Sequence, residues 1–150
     1  MRNLGSSSEN KIALTIAKIA HRGQTRMDTV EPYINHPRRV AEALTKRPGG
    51  VYFFVHAAAL LHDVLEDSSF EAQDLLDLGI SQETVDIVEI LSKRHGETYW
   101  TYLDRVISSG SAEALAVKIA DTEDNLVSLP PGHGLKERYE KALRLLGAAV

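Results

Sequence analysis

Apolar residues recur along this chain at helical rather than strand spacing. From about Ser8 to His21 they fall at Ile12, Ile16, Ala17, Ile19 and Ala20, one face of an amphipathic helix, with Ser7 or Ser8 placed to cap its start. Arg22 to His36 carries Gly23, Pro32 and Asn35 and few apolar residues, the pattern of a loop running towards Pro37 at the first turn of a helix. That second helix, about Pro37 to Thr45, presents Val40, Ala41 and Leu44 and stops before Pro48-Gly49-Gly50. The run from Val51 to Leu61 is apolar almost all round, which predicts a helix at the centre of the molecule. Ser69 precedes Phe70 to Leu78 with Gly79 at its end, and Ser81 precedes Val85 to Leu91, two further capped helices. Others are expected at about Thr98 to Ser108, Ala112 to Leu126 and Lys136 to Ala149, the last two parted by Pro130-Pro131-Gly132-His133-Gly134. With no alternating strand pattern and no internal repeat, the expectation is an all-α fold, an irregular helical bundle of about seven or eight helices in one domain.

Composition narrows the chemistry. At 150 residues, 43% of them hydrophobic and 25% charged, the chain is long enough to bury a single core without a disulfide. It has no cysteine, which removes disulfides, thiolate nucleophiles and cysteine-ligated metals; any metal must be held by nitrogen and oxygen. A net charge of −4 and a pI near 5.8 give no general attraction to nucleic acid, which relies on clustered Lys and Arg, so a small-molecule substrate is expected. No run approaches the ~18 apolar residues of a membrane span and Met1 to Lys11 lacks a signal-peptide core, so a cytoplasmic location and no membrane partner are expected.

Three places carry candidate chemistry. At the end of the apolar helix, Leu60-Leu61 gives way to His62-Asp63-Val64-Leu65-Glu66-Asp67. Continued as a helix, this sets His62 beside Glu66 and Asp63 beside Asp67, three carboxylates on one stripe. A divalent cation would offset their repulsion, and His with carboxylate suits a first-row metal such as manganese or iron better than calcium. A helix end that has merely reached water gives the same run. In the second place, Lys118, Asp121 and Asn125 share a stripe of a mostly apolar helix, where Lys118 is a ready partner for Asp121 and a plain surface acid is the alternative. The third is His36, immediately before Pro37, in a position held by proline's fixed φ; a ligand and a helix cap are both open there.

Taken together, His36, then His62-Asp63, then Asp121 resemble in order and spacing the HD superfamily of metal-dependent phosphohydrolases. More narrowly, Ala20-His21-Arg22-Gly23-Gln24-Thr25-Arg26, Pro32-Tyr33-Ile34-Asn35-His36-Pro37, Ala58 to Asp67 and Val117-Lys118-Ile119-Ala120-Asp121 with Asn125 resemble the hydrolase domain of the RelA/SpoT proteins and their small stand-alone animal homologue. The resemblance implies removal of the 3′-pyrophosphate from guanosine tetra- or pentaphosphate with Mn2+, or another divalent first-row metal, held by His36, His62, Asp63 and Asp121. It places Glu66 and Asp67 as the acidic pair that positions or activates the attacking water, Arg26 against the purine and Asn125 at the ribose. Lys118 and Tyr99 complete the candidate substrate contacts. The chain is expected to be the hydrolase part alone, without synthesis of the nucleotide.

Departures from the family's pattern bear on substrate. Where the family has Arg-Lys and then a Gly before Pro-Tyr, this chain has Arg26-Met27 and the longer Asp28-Thr29-Val30-Glu31; after Asp121 the usual Arg or Lys is Thr122, followed by Glu123 and Asp124. Fewer cations then surround the pocket, and a different or less charged nucleotide is a second expectation, such as a nucleoside monophosphate or the 2′-phosphate of NADPH. A nucleotide-binding module without turnover is a third, opposed by the intact ligand set and by Glu66-Asp67. Among the remaining residues, His56 is expected as a satisfied core histidine and His21 as a support for the loop, while His95 and His133 are given no role. Tyr99 and Tyr102 lie three apart on one helix face, which is usually core, with Tyr99 also a candidate substrate wall. Arg38-Arg39 fits either a phosphate contact or solvated charge.

Overall fold

The structure, a computed structural model, describes residues 2–26, 29–46 and 53–150. The helices are α1 (Arg2–Ala20), α2 (Asn35–Thr45), α3 (Phe53–Leu61), α4 (Val64–Asp67), α5 (Ala72–Asp77), α6 (Gln82–Leu91), α7 (Tyr99–Ser108), α8 (Ala112–Ser128) and α9 (Lys136–Ala148). Among the described residues the only β pairing is an isolated bridge between Thr25 and Pro32.

α3 is the axis of the bundle, packed by α1, α2, α6 and α8. Its sequence explains this position: Val55 and every residue from Ala57 to Leu61 are buried, and the alanines at 57, 58 and 59 let neighbouring helices approach from several sides at once. The surrounding helices each turn one stripe inward. α2 buries His36, Pro37, Val40, Ala41 and Leu44, and α6 buries Thr84, Val85, Ile87, Val88 and Leu91. A smaller cluster of Leu103, Ala142 and Leu146, with Tyr99 and Trp100 against it, joins α7 and α9 to α8.

Several boundaries differ from the sequence expectation. α1 starts at Arg2, ahead of Ser7 and Ser8, so neither serine caps it. α2 starts at Asn35, which puts His36 and Pro37 inside its first turn, where proline's missing N–H has no intrahelical acceptor to lose. His62 and Asp63 form a turn between α3 and α4, so the continuous stripe from His62 to Asp67 does not exist; only the Asp67 N–H to Asp63 carbonyl bond, 2.9 Å, preserves that spacing. α5 is headed by Glu71, whose N–H donates to Asp74 Oδ2 at 2.8 Å, and not by Ser69. Ser81 caps α6 as expected, and Thr98 and Ser111 cap α7 and α8. His56 is half-buried rather than enclosed in the core. The expected break at Pro48-Gly49-Gly50, like Val51 and Tyr52, lies outside the described residues. No described helix is long and apolar enough to cross a membrane.

Candidate metal centre

Gln24, just after α1, ties its segment to the bundle. Gln24 Nε2 donates to the carbonyls of Asp67 (2.8 Å) and Ala20 (3.2 Å), and its Oε1 sits 2.8 Å from His21 Nδ1. The Tyr33 N–H reaches the Gln24 carbonyl at 2.9 Å, and the His21 ring packs on that of Tyr33 with centroids 4.7 Å apart. His21 therefore supports the loop. The result is that Tyr33 OH is delivered to Asp63 Oδ2, 2.6 Å away.

Asp63 is one of four residues that converge. His36 from α2, His62 and Asp63 from the turn after α3, and Asp121 from α8 each offer one ligand atom, all within 4.8 Å of one another. His36 Nε2 lies 2.9 Å from Asp121 Oδ1 and 3.7 Å from Asp63 Oδ2; His62 Nε2 lies 3.0 Å from Asp63 Oδ2 and 3.3 Å from Asp121 Oδ1. His62 Nδ1 is 2.6 Å from the Ala59 carbonyl, an acceptor only, so that nitrogen carries the proton and Nε2 faces the other ligands. Among the described residues this buried Nε2 has no partner with hydrogen-bond geometry, and an imidazole nitrogen left unpaired beside two carboxylates fits a cation.

The electrostatics agree. Burial lowers the pKa of His62, but the charges of Asp63 and Asp121 outweigh it and hold the ring well above its ordinary value. Burial likewise raises the two acids, yet His62 drives Asp63 below the usual carboxylate range, and Lys118 with His62 drives Asp121 well below it. Positive charge at this point is what the acids demand. Asp121 has its Oδ2 taken by Lys118 Nζ at 2.8 Å and its Oδ1 approached by Asn125 Nδ2 at 3.2 Å.

Glu66 and Asp67 stand beside the four at the rim. Burial, opposed by the Lys93 N–H bond at 2.5 Å, raises Glu66. Burial with the charges of Asp63 and Glu66 pushes Asp67 up to about 7. A cavity of about 530 Å³ opens next to the centre, walled by Arg26, Tyr33, Arg39, Asp124, Asn125 and Tyr139 among others. Arg26 Nη2 donates to Asn125 Oδ1 at 3.0 Å, so the two expected nucleoside contacts meet across its wall.

Two candidate substrate contacts are placed elsewhere. Lys118 is 8% exposed and committed to Asp121, with Tyr102 of α7 below it at 4.9 Å; it stands behind the centre. Tyr99 packs in the α7–α9 cluster near Trp100 and Arg138 and does not line the cavity, whose aromatic walls are Tyr33 and Tyr139. Thr122 is buried, its Oγ1 donating to the Lys118 carbonyl at 2.7 Å, and Met27 lies outside the described residues. Asp124, Tyr33 and Tyr139 were given no site role from the sequence, and Arg39 was left open between a phosphate contact and solvated charge. Asp124 had a signal, one turn beyond Asp121 on the same helix; Tyr139 had none, since only the docking of α9 on α8 brings it there. His133 also lines the cavity.

No family model matches the chain. It is 41% identical over 81 residues to the bifunctional (p)ppGpp synthase/hydrolase SpoT of Escherichia coli, a match covering 54% of this chain and 11% of that protein. To the guanosine-3′,5′-bis(diphosphate) 3′-pyrophosphohydrolase MESH1 of Xenopus tropicalis it is 38% identical over 87 residues, 55% of this chain and 48% of the other. The human protein of that name is 47% identical over 57 residues, 37% of this chain and 32% of the relative. The matches thus span about half or less of these relatives. Among solved structures, that of a metazoan orthologue of SpoT, described as hydrolysing ppGpp, superposes with a TM-score of 0.77 at 24% identity, covering 94% of this chain and 84% of the other. Relatives in sequence and the neighbour in fold lead to one place: this all-α chain has an HD-type fold and is similar to the hydrolase domain of the RelA/SpoT proteins and to their stand-alone animal homologue.

Proposed function

We propose that residues 1–150 act as one metal-dependent phosphohydrolase unit that removes the 3′-pyrophosphate of guanosine tetra- or pentaphosphate, with Mn2+ held by His36, His62, Asp63 and Asp121. The observation that carries this is the convergence of four ligand atoms within 4.8 Å, among them a buried His62 Nε2 that has no partner with hydrogen-bond geometry among the described residues. A divalent ion so held supplies an acidified water and neutralises charge on phosphoryl oxygens. The chain supplies the rest. Asp67, with its carboxyl near 7, is matched to take a proton close to neutrality, and Glu66, fixed by Lys93 N–H, orients the water. Arg26 and Asn125 receive the nucleoside in the cavity beside Tyr33. Lys118 acts through Asp121, holding one carboxylate oxygen so that the other points to the centre. The absence of cysteine and a nucleotide substrate suit a cytoplasmic setting, and the net charge of −4 speaks against nucleic acid as a partner.

One observation favours a second substrate class. Both arginines of the cavity wall are engaged by acids: Arg39 by Asp124 at 2.8 Å and Glu31 at 2.9 Å, and Arg26 by Asp124 at 3.8 Å. A wall so neutralised suits a less charged nucleotide, a nucleoside monophosphate or NADPH. The deciding experiment is product analysis with purified protein and Mn2+, guanosine tetraphosphate being compared with a nucleotide panel that includes NADPH. Pyrophosphate from the tetraphosphate, absent with Asp63→Ala, supports the first reading. Orthophosphate released only from another nucleotide moves the substrate, and nucleotide binding with no metal-stimulated release from any substrate leaves a binding module.

A further inference from the structure

His36 and His62 present the same nitrogen to the centre, but they are held from behind by different groups. The Nδ1 of His62 rests on a neutral backbone carbonyl, whereas that of His36 lies 2.7 Å from Asp124 Oδ2. Asp124 sits one turn past Asp121 on α8, and its side chain is only 15% exposed. Both of its oxygens also accept from Arg39, Oδ1 from Nε at 2.8 Å and Oδ2 from Nη2 at 3.1 Å. An aspartate paired with a guanidinium is ionised and accepts only, so the proton of the His36–Asp124 contact belongs to Nδ1. That leaves His36 Nε2 directed at Asp121 Oδ1 and Asp63 Oδ2. Arg39 is braced in turn by Glu31 from the loop that carries Arg26.

We propose that Asp124 is a positioning residue: by accepting the Nδ1 proton of His36, it fixes the ring with Nε2 aimed at the cation, and Arg39 fixes Asp124. This rests on the metal reading of the four-residue centre. An anionic acceptor behind an imidazole both fixes its orientation and makes the opposite nitrogen a stronger donor, and loss of such an acceptor typically weakens metal affinity about 10- to 100-fold. Arg39, which from the sequence fitted either phosphate or solvent, is thereby part of the support of the centre.

The test compares wild type, Asp124→Asn and Asp63→Ala, with Mn2+ affinity read by titration and the His36 ring read by 15N-edited NMR of the metal-free protein. Asp124→Asn is isosteric, and its folding is checked by circular dichroism and melting. Wild type is expected to show an exchange-protected Nδ1–H on His36, whether or not Nε2 is also protonated. In Asp124→Asn that proton exchanges faster and Mn2+ affinity falls about 10- to 100-fold; a purely structural aspartate would leave both readouts unchanged. A wild-type ring protonated on Nε2 alone overturns the proposal, as does a folded Asp124→Asn that binds Mn2+ as tightly as wild type. If wild type binds no Mn2+, the metal reading fails and this inference with it. If wild type binds and Asp124→Asn binds equally, the inference fails alone.

Discussion

Asp63 is the residue on which the loop, the turn and the proposed cation meet. Its Oδ2 takes the Tyr33 hydroxyl at 2.6 Å and lies 3.0 Å from His62 Nε2. Asp63→Ala is expected to abolish Mn2+ binding and turnover while circular dichroism stays helical; retained turnover would remove the site. The exchange also leaves the Tyr33 hydroxyl without its acceptor, a loss of about 1–3 kcal/mol readable by urea titration. Glu66→Gln is different, because an amide oxygen can still accept from Lys93 N–H. Mn2+ affinity should survive and the rate fall by about 10²-fold or more; an unaltered rate would make Glu66 a fastener of the 93 region and nothing else. His62-Asp63 stood out in sequence because ionisable residues end an apolar run there, and Asp121 because it interrupts a mostly apolar helix, whereas His36, before Pro37, joined them only through the family resemblance. Of the readings open for Lys118 and Tyr99, a partner for Asp121 and a core aromatic are the ones seen, and neither lines the cavity; spacing tells which residues share a stripe, but not whether that stripe meets a cavity or another helix. Asp124 was visible in sequence only as an added acid one turn beyond Asp121, since its bond to His36 joins residues 88 apart.

At the scale of elements, the end of α6 shows how one side chain can hold a helix terminus. Arg105 on α7 donates to the carbonyls of Ile90 (3.0 Å) and Ser92 (2.8 Å) and pairs with Glu97, while Tyr102 OH donates to the Leu91 carbonyl at 2.6 Å. Carbonyls at a helix C-terminus have no intrahelical donor. Arg105→Ala should therefore destabilise the protein by about 2 kcal/mol, measured as a shift in urea midpoint; a shift near zero would mean that water replaces the guanidinium without loss. Glu97 titrates in step. The Arg105 hydrogen bond lowers its carboxyl from 4.5 to about 2, and since the folded value lies below the unfolded one, its contribution is complete above about 4.5 and lost as pH falls towards 2. The midpoint gap between wild type and Glu97→Gln should be full near neutrality and close across that window. Caps were readable only in part: Ser81 ahead of an apolar run marked the start of α6, whereas Ser69 ahead of α5 gave way to Glu71. The turn at His62-Asp63 was not readable, because a helix pattern continues through it and only the geometry of the four ligands requires the chain to bend there.

Over the whole molecule, the all-helical class followed from the lack of any alternating pattern, and the central place of α3 from its uniform apolarity. Which helices touch was not legible, since each amphipathic stripe is compatible with several partners and packing alone selects α2 on α8 or α9 on α8. That selection assembles the centre from distant chain: His36 meets Asp121 across 85 residues, and Arg26 meets Asn125 across 99. Only His62 and Asp63 are neighbours before the chain folds. Contacts of such long separation tend to form late, because loop closure must precede them. Mn2+ should then leave the refolding rate unchanged in stopped-flow experiments and slow unfolding alone; a rate of refolding that climbs with Mn2+ would place the docking of α2 and α8 before the barrier. On this view the cation is a lock fitted to a finished door, and its capture marks the moment at which the last helices have arrived.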